Sequence, residues 1–241
     1  ADLEESSAAL AGAQTALAGN LVVTASVTFG NLHVVPLLLS FLRAHPEMTG
    51  RALLFDRVVD LREEGVDVAV RIAHLRDSSL RAIRVGSVRA VCCASPGYLE
   101  KHGRPRTPDD LRDHAIVAFA GSRGSGDWLF PGARRAKRVA LAPRFVTNDT
   151  QASLVAARAG HGIVRALSYQ IADDVRTGRL VVVLDRFEPA PIPVHVVHAA
   201  GSGAPARIRA FVDYAVDRLR SDPRVEGALR RGPKSQPDSR K

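Results

Sequence analysis

Between residues 21 and 72 the chain alternates short β-branched runs with stretches of helical periodicity, and that alternation leaves few folds open. Leu21-Val22-Val23-Thr24 reads as a buried strand, and Val35, Leu38, Leu39 and Leu42 then recur at helical spacing. Arg51-Ala52-Leu53-Leu54-Phe55 is a second strand, Val58-Val59-Asp60-Leu61-Arg62-Glu63-Glu64 a short helix stopped by Gly65, and Val66-Asp67-Val68-Ala69-Val70-Arg71-Ile72 a third strand. A β-α-β-α-β order predicts a parallel sheet with right-handed crossovers. Pro36 either opens the main body of the first helix or kinks it, because proline brings no amide to a helix interior.

The alternation resumes at Ala90-Val91-Cys92-Cys93-Ala94, a strand ended by Ser95-Pro96 ahead of a helix around Tyr98-Leu99-Glu100-Lys101. Ala115-Ile116-Val117-Ala118-Phe119, Val139-Ala140-Leu141 and Phe145-Val146-Thr147 are further strands, followed by a helix over 151–159 stopped by Gly160 and a strand at Ile163-Val164. Gly121-Ser122-Arg123-Gly124-Ser125-Gly126 is a surface loop whose glycine spacing is not that of a phosphate-binding fingerprint. Two strands follow, Leu180-Val181-Val182-Val183-Leu184 and Pro193-Val194-His195-Val196-Val197-His198, and then a helix with Ile208, Phe211, Val212, Ala215, Val216 and Leu219 on one face. Elements that arrive after a second set is complete must return to the first. The expected fold is therefore α/β, two Rossmann-like lobes joined by two crossover strands: lobe I from 19–92 and 193–222, lobe II from 93–192. With 241 residues, 46% of them apolar, there is material for two lobes of about 100 residues each.

Leu3, Leu10 and Leu17 recur every seven residues before Gly19-Asn20, so 1–18 reads as the end of an amphipathic, dimerising helix. The net charge is +9, which favours polyanions without specifying one. Residues 223–241 read as a disordered basic tail, with Pro233 and Pro237 and almost no apolar content after Leu229. The two cysteines are adjacent, so they cannot staple the fold, and they point to opposite faces of their strand as core filler. His195 and His198, three apart on a strand, cannot share a metal, and no cofactor is expected. No apolar run reaches the roughly 20 residues of a bilayer span, so a cytoplasmic chain without membrane contact is expected.

Several motifs carry a family resemblance in their order and spacing. They begin with Gly19-Asn20-Leu21-Val22-Val23-Thr24-Ala25-Ser26, His33-Val34-Val35-Pro36-Leu37-Leu38, Phe41 and Pro46, and continue through Gly65-Val66-Asp67-Val68-Ala69-Val70-Arg71-Ile72 and Ala94-Ser95-Pro96-Gly97-Tyr98-Leu99. Pro108-Asp109-Asp110-Leu111, Val146-Thr147-Asn148-Asp149, Leu167-Ser168-Tyr169-Gln170 and Gly178-Arg179-Leu180 complete the set. Over residues 1 to about 222 the chain resembles the effector-binding domain of LysR-type transcriptional regulators. The resemblance implies a fold like the type 2 periplasmic binding proteins, a homodimer or homotetramer, and a small effector held between the lobes. Nothing here resembles the winged helix-turn-helix through which that family binds DNA, so the chain reads as a fragment of a longer regulator that senses without reading DNA.

The candidate effector-binding residues are Ser26, Thr28, Asp56, Arg71, Ser95, Thr147, Asn148 and Asp149; the resemblance marks Ser26, Thr28 and Arg71, while the others are expected at the cleft from their places at strand ends or beside Arg71. Each also has a plain structural reading. Ser26 and Thr28 lie where a strand meets a helix, where hydroxyls and free amides bind an anion or simply cap the helix. Arg71 at a strand's carboxyl end suits a carboxylate ligand, or else an ion pair with Asp56 or Asp67. Ser95 and Asn148-Asp149 stand where N-caps are needed, and Trp128 with Phe130 anchors lobe II or stacks an aromatic effector. A solute-binding protein of a transporter shares the fold and is the alternative function. An enzyme on the same fold is disfavoured, since the sequence offers no activated nucleophile, metal cluster or paired carboxylates.

Overall fold

The computed structural model describes residues 17–57, 59–75, 80–120, 127–131, 136–199 and 203–226. The expected helix over the first residues, the loop 121–126 and the tail from 227 onward lie outside them. Contacts divide the chain into two compact units. One comprises the described residues within Ala1–Arg71, Asp77–Ile83 and Val196–Arg218, the other those within Ile72–Arg76, Arg84–His195 and Leu219–Lys241.

The first unit is organised by β1 (Gly19–Ala25), whose Leu21 through Ala25 are all buried. It pairs in parallel with β2 (Met48–Leu54) along its whole length and with β3 (Val68–Ile72) from Val23 to Ala25. These are the parallel strands expected from the alternation. The full sheet has the order β2-β1-β3-β12-β4, where β4 is Leu80–Val88 and β12 is Ile192–Ala199. A continuous helical stretch follows β1: α1 (Val27–Phe29), a π-helical turn (Gly30–Val34) and α2 (Val35–Ala44). Both readings of Pro36 hold in part. It sits in the first turn of α2, and the widened turn before it, in which the Val35 amide reaches back to Gly30, accommodates a ring that an even α-helix would not. By length and composition alone Val27–Ala44 is apolar enough to cross a membrane, but here Phe29, Val34, Leu38 and Phe41 form core, with Leu38 and Leu42 lying over Gly50 of β2. Phe41 meets Phe211 of α6 (Ala206–Arg220 by position, the last helix) edge-on at 5.3 Å, and Tyr214 donates to Ser40 at 2.9 Å.

One expected helix does not form. Residues 61–65 make a turn, while Val58 lies outside the described residues. The Asp60 carboxylate accepts from the amides of Arg62 at 2.8 Å and Glu63 at 3.3 Å, and Gly65 adopts a φ of 61°. An aspartate bonded to the amides two and three residues ahead is an N-cap, so helical turns can begin only after Asp60, and Gly65 in the left-handed region ends them after one turn.

In the second unit the sheet order is β11-β5-β10-β6-β9, with β5 (Ala90–Ala94), β6 (Ile116–Phe119), β9 (Pro143–Thr147), β10 (Ile163–Leu167) and β11 (Val181–Val183). β6 and β9 run parallel to β10, whereas β5 runs antiparallel to it. The adjacent cysteines fall into separate apolar clusters on the two faces of this sheet, Cys92 with Trp128 and Phe130, Cys93 with Leu154 and Val164. Burial pushes both thiols well above their ordinary value, that of Cys92 to about 12, as suits filler rather than a redox sensor. Trp128 is buried on the hairpin of β7 (Asp127–Phe130) and β8 (Lys137–Ala140), with the Arg165 guanidinium 5.9 Å from its ring centroid and 5.2 Å from that of Phe130. It is a core anchor, already packed and not open for stacking a ligand.

β4, whose Arg81, Arg84 and Gly86 obscure its strand character, is hydrogen-bonded into the sheet of the first unit, although contacts divide the chain within it, at Arg84. One boundary differs from the expected ones: the ordered chain runs past 223. Val225 is fully buried, its carbonyl accepts from the Ser87 amide at 2.8 Å, and Gly86 is what lets the segment approach, since a Cβ there would stand 2.2 Å from that carbonyl oxygen.

Two outcomes follow. Gly86→Ala should lower the urea-unfolding free energy by about 1–3 kcal/mol, because backbone must shift to admit the methyl group. A pH effect arises at Tyr98, whose oxygen accepts from the Ala115 amide at 2.9 Å and whose proton is thereby directed to His114 Nδ1, 3.1 Å away. Burial first, and the charge of His102 second, hold the His114 imidazole below its ordinary value. The unfolded chain then binds more protons in the interval below about 6.5, so His114 contributes stability above that pH and loses it as pH falls through the folded value. Unfolding midpoints measured at pH 7.5 and 5.5 should show this loss, and His114→Gln should shrink it.

Candidate functional site

The ends of β1, β2 and β3 lie side by side, and four of the expected residues collect there. Register pairs Ala25 with Leu54 on one side and Val70 on the other, so the next residues, Ser26 and Arg71, continue on adjacent strands about 4.8 Å apart. Ser26 is extended (φ −62°, ψ 149°) and holds the N-cap position of α1, yet its hydroxyl makes no capping bond. The Val27 amide is taken instead by Asp56, just beyond β2, through Oδ1 at 3.1 Å. Ser26 Oγ is left buried without a hydrogen-bond partner. Such a hydroxyl is costly, and its desolvation is recovered only if something arrives to bond it. Thr28 is buried one turn further on.

Arg71 is partly buried, and its guanidinium donates to the Val59 carbonyl. It forms no ion pair with Asp56 or Asp67, the two partners that the sequence allows; Asp67 accepts from the Val22 amide at 2.8 Å instead. The guanidinium charge is felt at Asp60, whose carboxyl is held below the usual range first by the Arg62 and Glu63 amides and to a lesser extent by Arg71. Among the described residues the hydrogen-bond partner of Arg71 is a neutral carbonyl, and the Asp60 carboxylate is a nearby charge that it does not bond. An oxyanion at this edge therefore meets a hydroxyl lacking a bond and a guanidinium without a bonded carboxylate among the described residues.

Three further expected residues gather in the second unit. Thr147 ends β9 opposite Phe119, and Asn148 and Asp149 are exposed beyond it. Here the plain reading of Asp149 holds: Oδ1 accepts from the Ala152 amide at 2.6 Å and caps α4 (Thr150–Arg158), while Thr147 Oγ1 accepts from the Asp149 amide at 3.1 Å. Ser95 does not join them. It follows β5, which runs antiparallel to β10, and so stands at the sheet end where β10 and β6 begin; Thr147 stands where they finish. Its hydroxyl accepts from the Tyr98 amide at 3.4 Å and caps α3 (Pro96–His102).

Sequence reasoning missed the loop that holds Arg71, since a carbonyl acceptor leaves no mark in residue type. It also missed the buried Asp174 in α5 (Ala172–Arg176). Arg158 grips both its oxygens, and Arg179 adds a bond at 2.8 Å. Among the described residues no group of three or more His, Cys, Asp or Glu is placed to hold a metal.

Comparison with known proteins gives a consistent result. A family model for the LysR substrate binding domain matches residues 14–220. The chain is 30% identical over 207 residues to an uncharacterized HTH-type transcriptional regulator of Haemophilus influenzae, covering 86% of this chain and 72% of that protein. It is 26% identical over 199 residues to the HTH-type transcriptional activator AaeR of Escherichia coli, covering 83% and 64%. The regulatory domain of CrgA, a LysR-type transcriptional regulator from Neisseria meningitidis, superposes with a TM-score of 0.73 at 25% identity, over 84% of this chain and 100% of that one. The chain spans about two thirds of the curated relatives it matches, 72, 66 and 65% of three of them.

The hydroxyl geometry separates two neighbouring roles by experiment. Asp149→Ala should cost about 0.5–2 kcal/mol in chemical unfolding through the lost cap. Ser26→Ala should leave stability unchanged or raise it by up to about 1 kcal/mol, because it deletes a buried group without a bond.

Proposed function

Because the chain belongs to the family of LysR substrate-binding domains, we propose that it senses a small anionic effector through Ser26, Thr28 and Arg71 at the shared edge of β1, β2 and β3. It is the effector-binding domain of a LysR-type transcriptional regulator, and its relatives are transcriptional regulators rather than enzymes. The observation that carries the choice of an anion is the pairing of a buried Ser26 hydroxyl that makes no hydrogen bond with an Arg71 whose bonded partner, among the described residues, is a carbonyl and not a carboxylate. A small carboxylate fits both, one oxygen accepting from the serine and the guanidinium taking the charge. An aromatic ring is not required by anything at this edge, and Trp128 is committed to the core of the second unit.

Asp56 belongs to this reading as a positioning residue: it occupies the Val27 amide and so releases the serine. Thr147, Asn148 and Asp149, at the end of β9, are the candidate contacts in the second unit. Ser95, at the far end of its sheet, is left out of the set. Binding can bias the chain only if the effector prefers one arrangement of the units over another. In the assembled regulator we place the response at a winged helix-turn-helix outside this chain, in a cytoplasmic homodimer or homotetramer.

A thermal-shift screen of small carboxylates should yield a stabilising compound, about 2.7 kcal/mol at one hundred times its dissociation constant. Calorimetric titration should then show roughly tenfold weaker binding to Arg71→Ala and a weakening for Ser26→Ala. Undiminished affinity in both variants would remove this edge from recognition.

A further inference from the structure

We propose that the second unit carries a separate binding site for a phosphate-type oxyanion, formed by Ser95, Lys101, His102, Arg158 and Arg179. A cavity of about 660 Å³ opens between α3 and the turn that ends α4; of the ten residues lining it four are basic and none is acidic. The nearest carboxylate with a defined role, Asp174, lies behind the wall at 2% side-chain exposure. Arg158 spans it with Nε at 3.0 Å from both oxygens and Nη2 at 2.7 Å from one, and Arg179 Nε sits 2.8 Å from the other. A single carboxylate facing two guanidiniums leaves one positive charge over, and Lys101 adds another. Holding the pair of arginines together this way also fixes their forks in place before any ligand arrives, which lowers the ordering cost of binding.

Donors remain on the cavity side. Arg158 Nη1 and both terminal nitrogens of Arg179 take no part in the Asp174 contacts. Ser95 Oγ accepts from the Tyr98 amide, so its own proton is available to a ligand oxygen. Gly160, at φ 79°, keeps the space beside that hydroxyl open, since a Cβ there would stand 3.6 Å from Ser95 Oγ. A phosphoryl group carries about −1.5 to −2 charge near neutrality and three acceptor oxygens, matching two surplus cations and several donors lining one cavity better than a monocarboxylate does. The cavity leaves room for an organic portion as well.

A purely structural account, in which the arginines only tie α4 to α5 and Ser95 only caps α3, does not call for Lys101 beside them or for a lining without acids. This site stands apart from the effector reading. It lies where β5 ends, at the other end of a sheet of five-residue strands from Thr147, about 15 Å away along the strand direction.

The test is calorimetry on the 241-residue chain at constant ionic strength in phosphate-free buffer, titrating inorganic phosphate and, separately, glycerol phosphate. Binding should be saturable, and Lys101→Gln and Arg179→Gln should each weaken it roughly tenfold. Neither variant removes the bidentate Arg158–Asp174 pair; Arg179→Gln loses its own bond to Asp174 and should unfold at a somewhat lower temperature, while a single cooperative transition in each variant shows that both fold. Arg43→Gln, which removes an exposed cation from α2 of the first unit, should bind phosphate as the parent chain does. Tighter binding of glycerol phosphate assigns the site to a phosphorylated metabolite and tighter binding of phosphate to the free ion; both uphold it. No saturable binding of either compound, or equal affinity in the parent and the two variants, overturns it.

Discussion

The parallel pairing of β1 on both sides is the constraint on which the first unit depends. With β2 and β3 locked to it in register, every backbone group from Val23 to Ala25 is committed to a neighbour, and three strand ends are brought level. The chain must leave that edge at Ser26 and begin a helix at Val27, so it needs a cap there. The cap comes from Asp56, the residue that the neighbouring strand delivers to the same edge. A serine freed from capping is thus a consequence of strand register, and its position beside Arg71 is another.

The second unit solves a comparable problem with charge. Asp174 is buried, and a lone buried carboxylate would be strongly unfavourable; two arginines from different elements offset it. Arg158 ends one helix and Arg179 precedes β11, so a single oxygen pair ties together segments whose Leu154, Ala157, Ile171 and Leu180 also share an apolar cluster. The same excess of cations that stabilises the carboxylate gives the outer face its sign.

Much of this architecture was legible in the residues. β-branched runs such as Leu21-Val22-Val23-Thr24 and Ala90-Val91-Cys92-Cys93-Ala94 became strands where expected, because burial on both faces requires unbroken apolar sequence. The opposite orientation of Cys92 and Cys93 followed from the two-residue period alone. What escaped were features decided by single contacts. The turn at 61–65 depends on one carboxylate reaching two amides, β4 hides behind arginines on its exposed positions, and Val225 is held by a glycine on a strand far away in sequence. Among the site residues, Ser26, Thr28, Asp56 and Arg71 do share an edge. That Ser95 belongs elsewhere could be known only once β5 proved antiparallel, and strand direction within a sheet is not written in local pattern.

The discontinuity of the first unit bears on how the protein is made. Its sheet includes β12, which begins only at the end of the run from Arg84 to His195 that makes up most of the second unit, and its core includes Phe211, which follows that run. During synthesis the early strands β1 to β3 emerge long before their remaining sheet neighbour exists, whereas the second unit is nearly complete in one stretch. Contacts between such distant residues form late, because the intervening loop must be closed first. The second unit should accordingly be the earlier to fold on the ribosome, and the edge bearing Ser26 and Arg71 should remain unfinished until the last helix has left the exit tunnel.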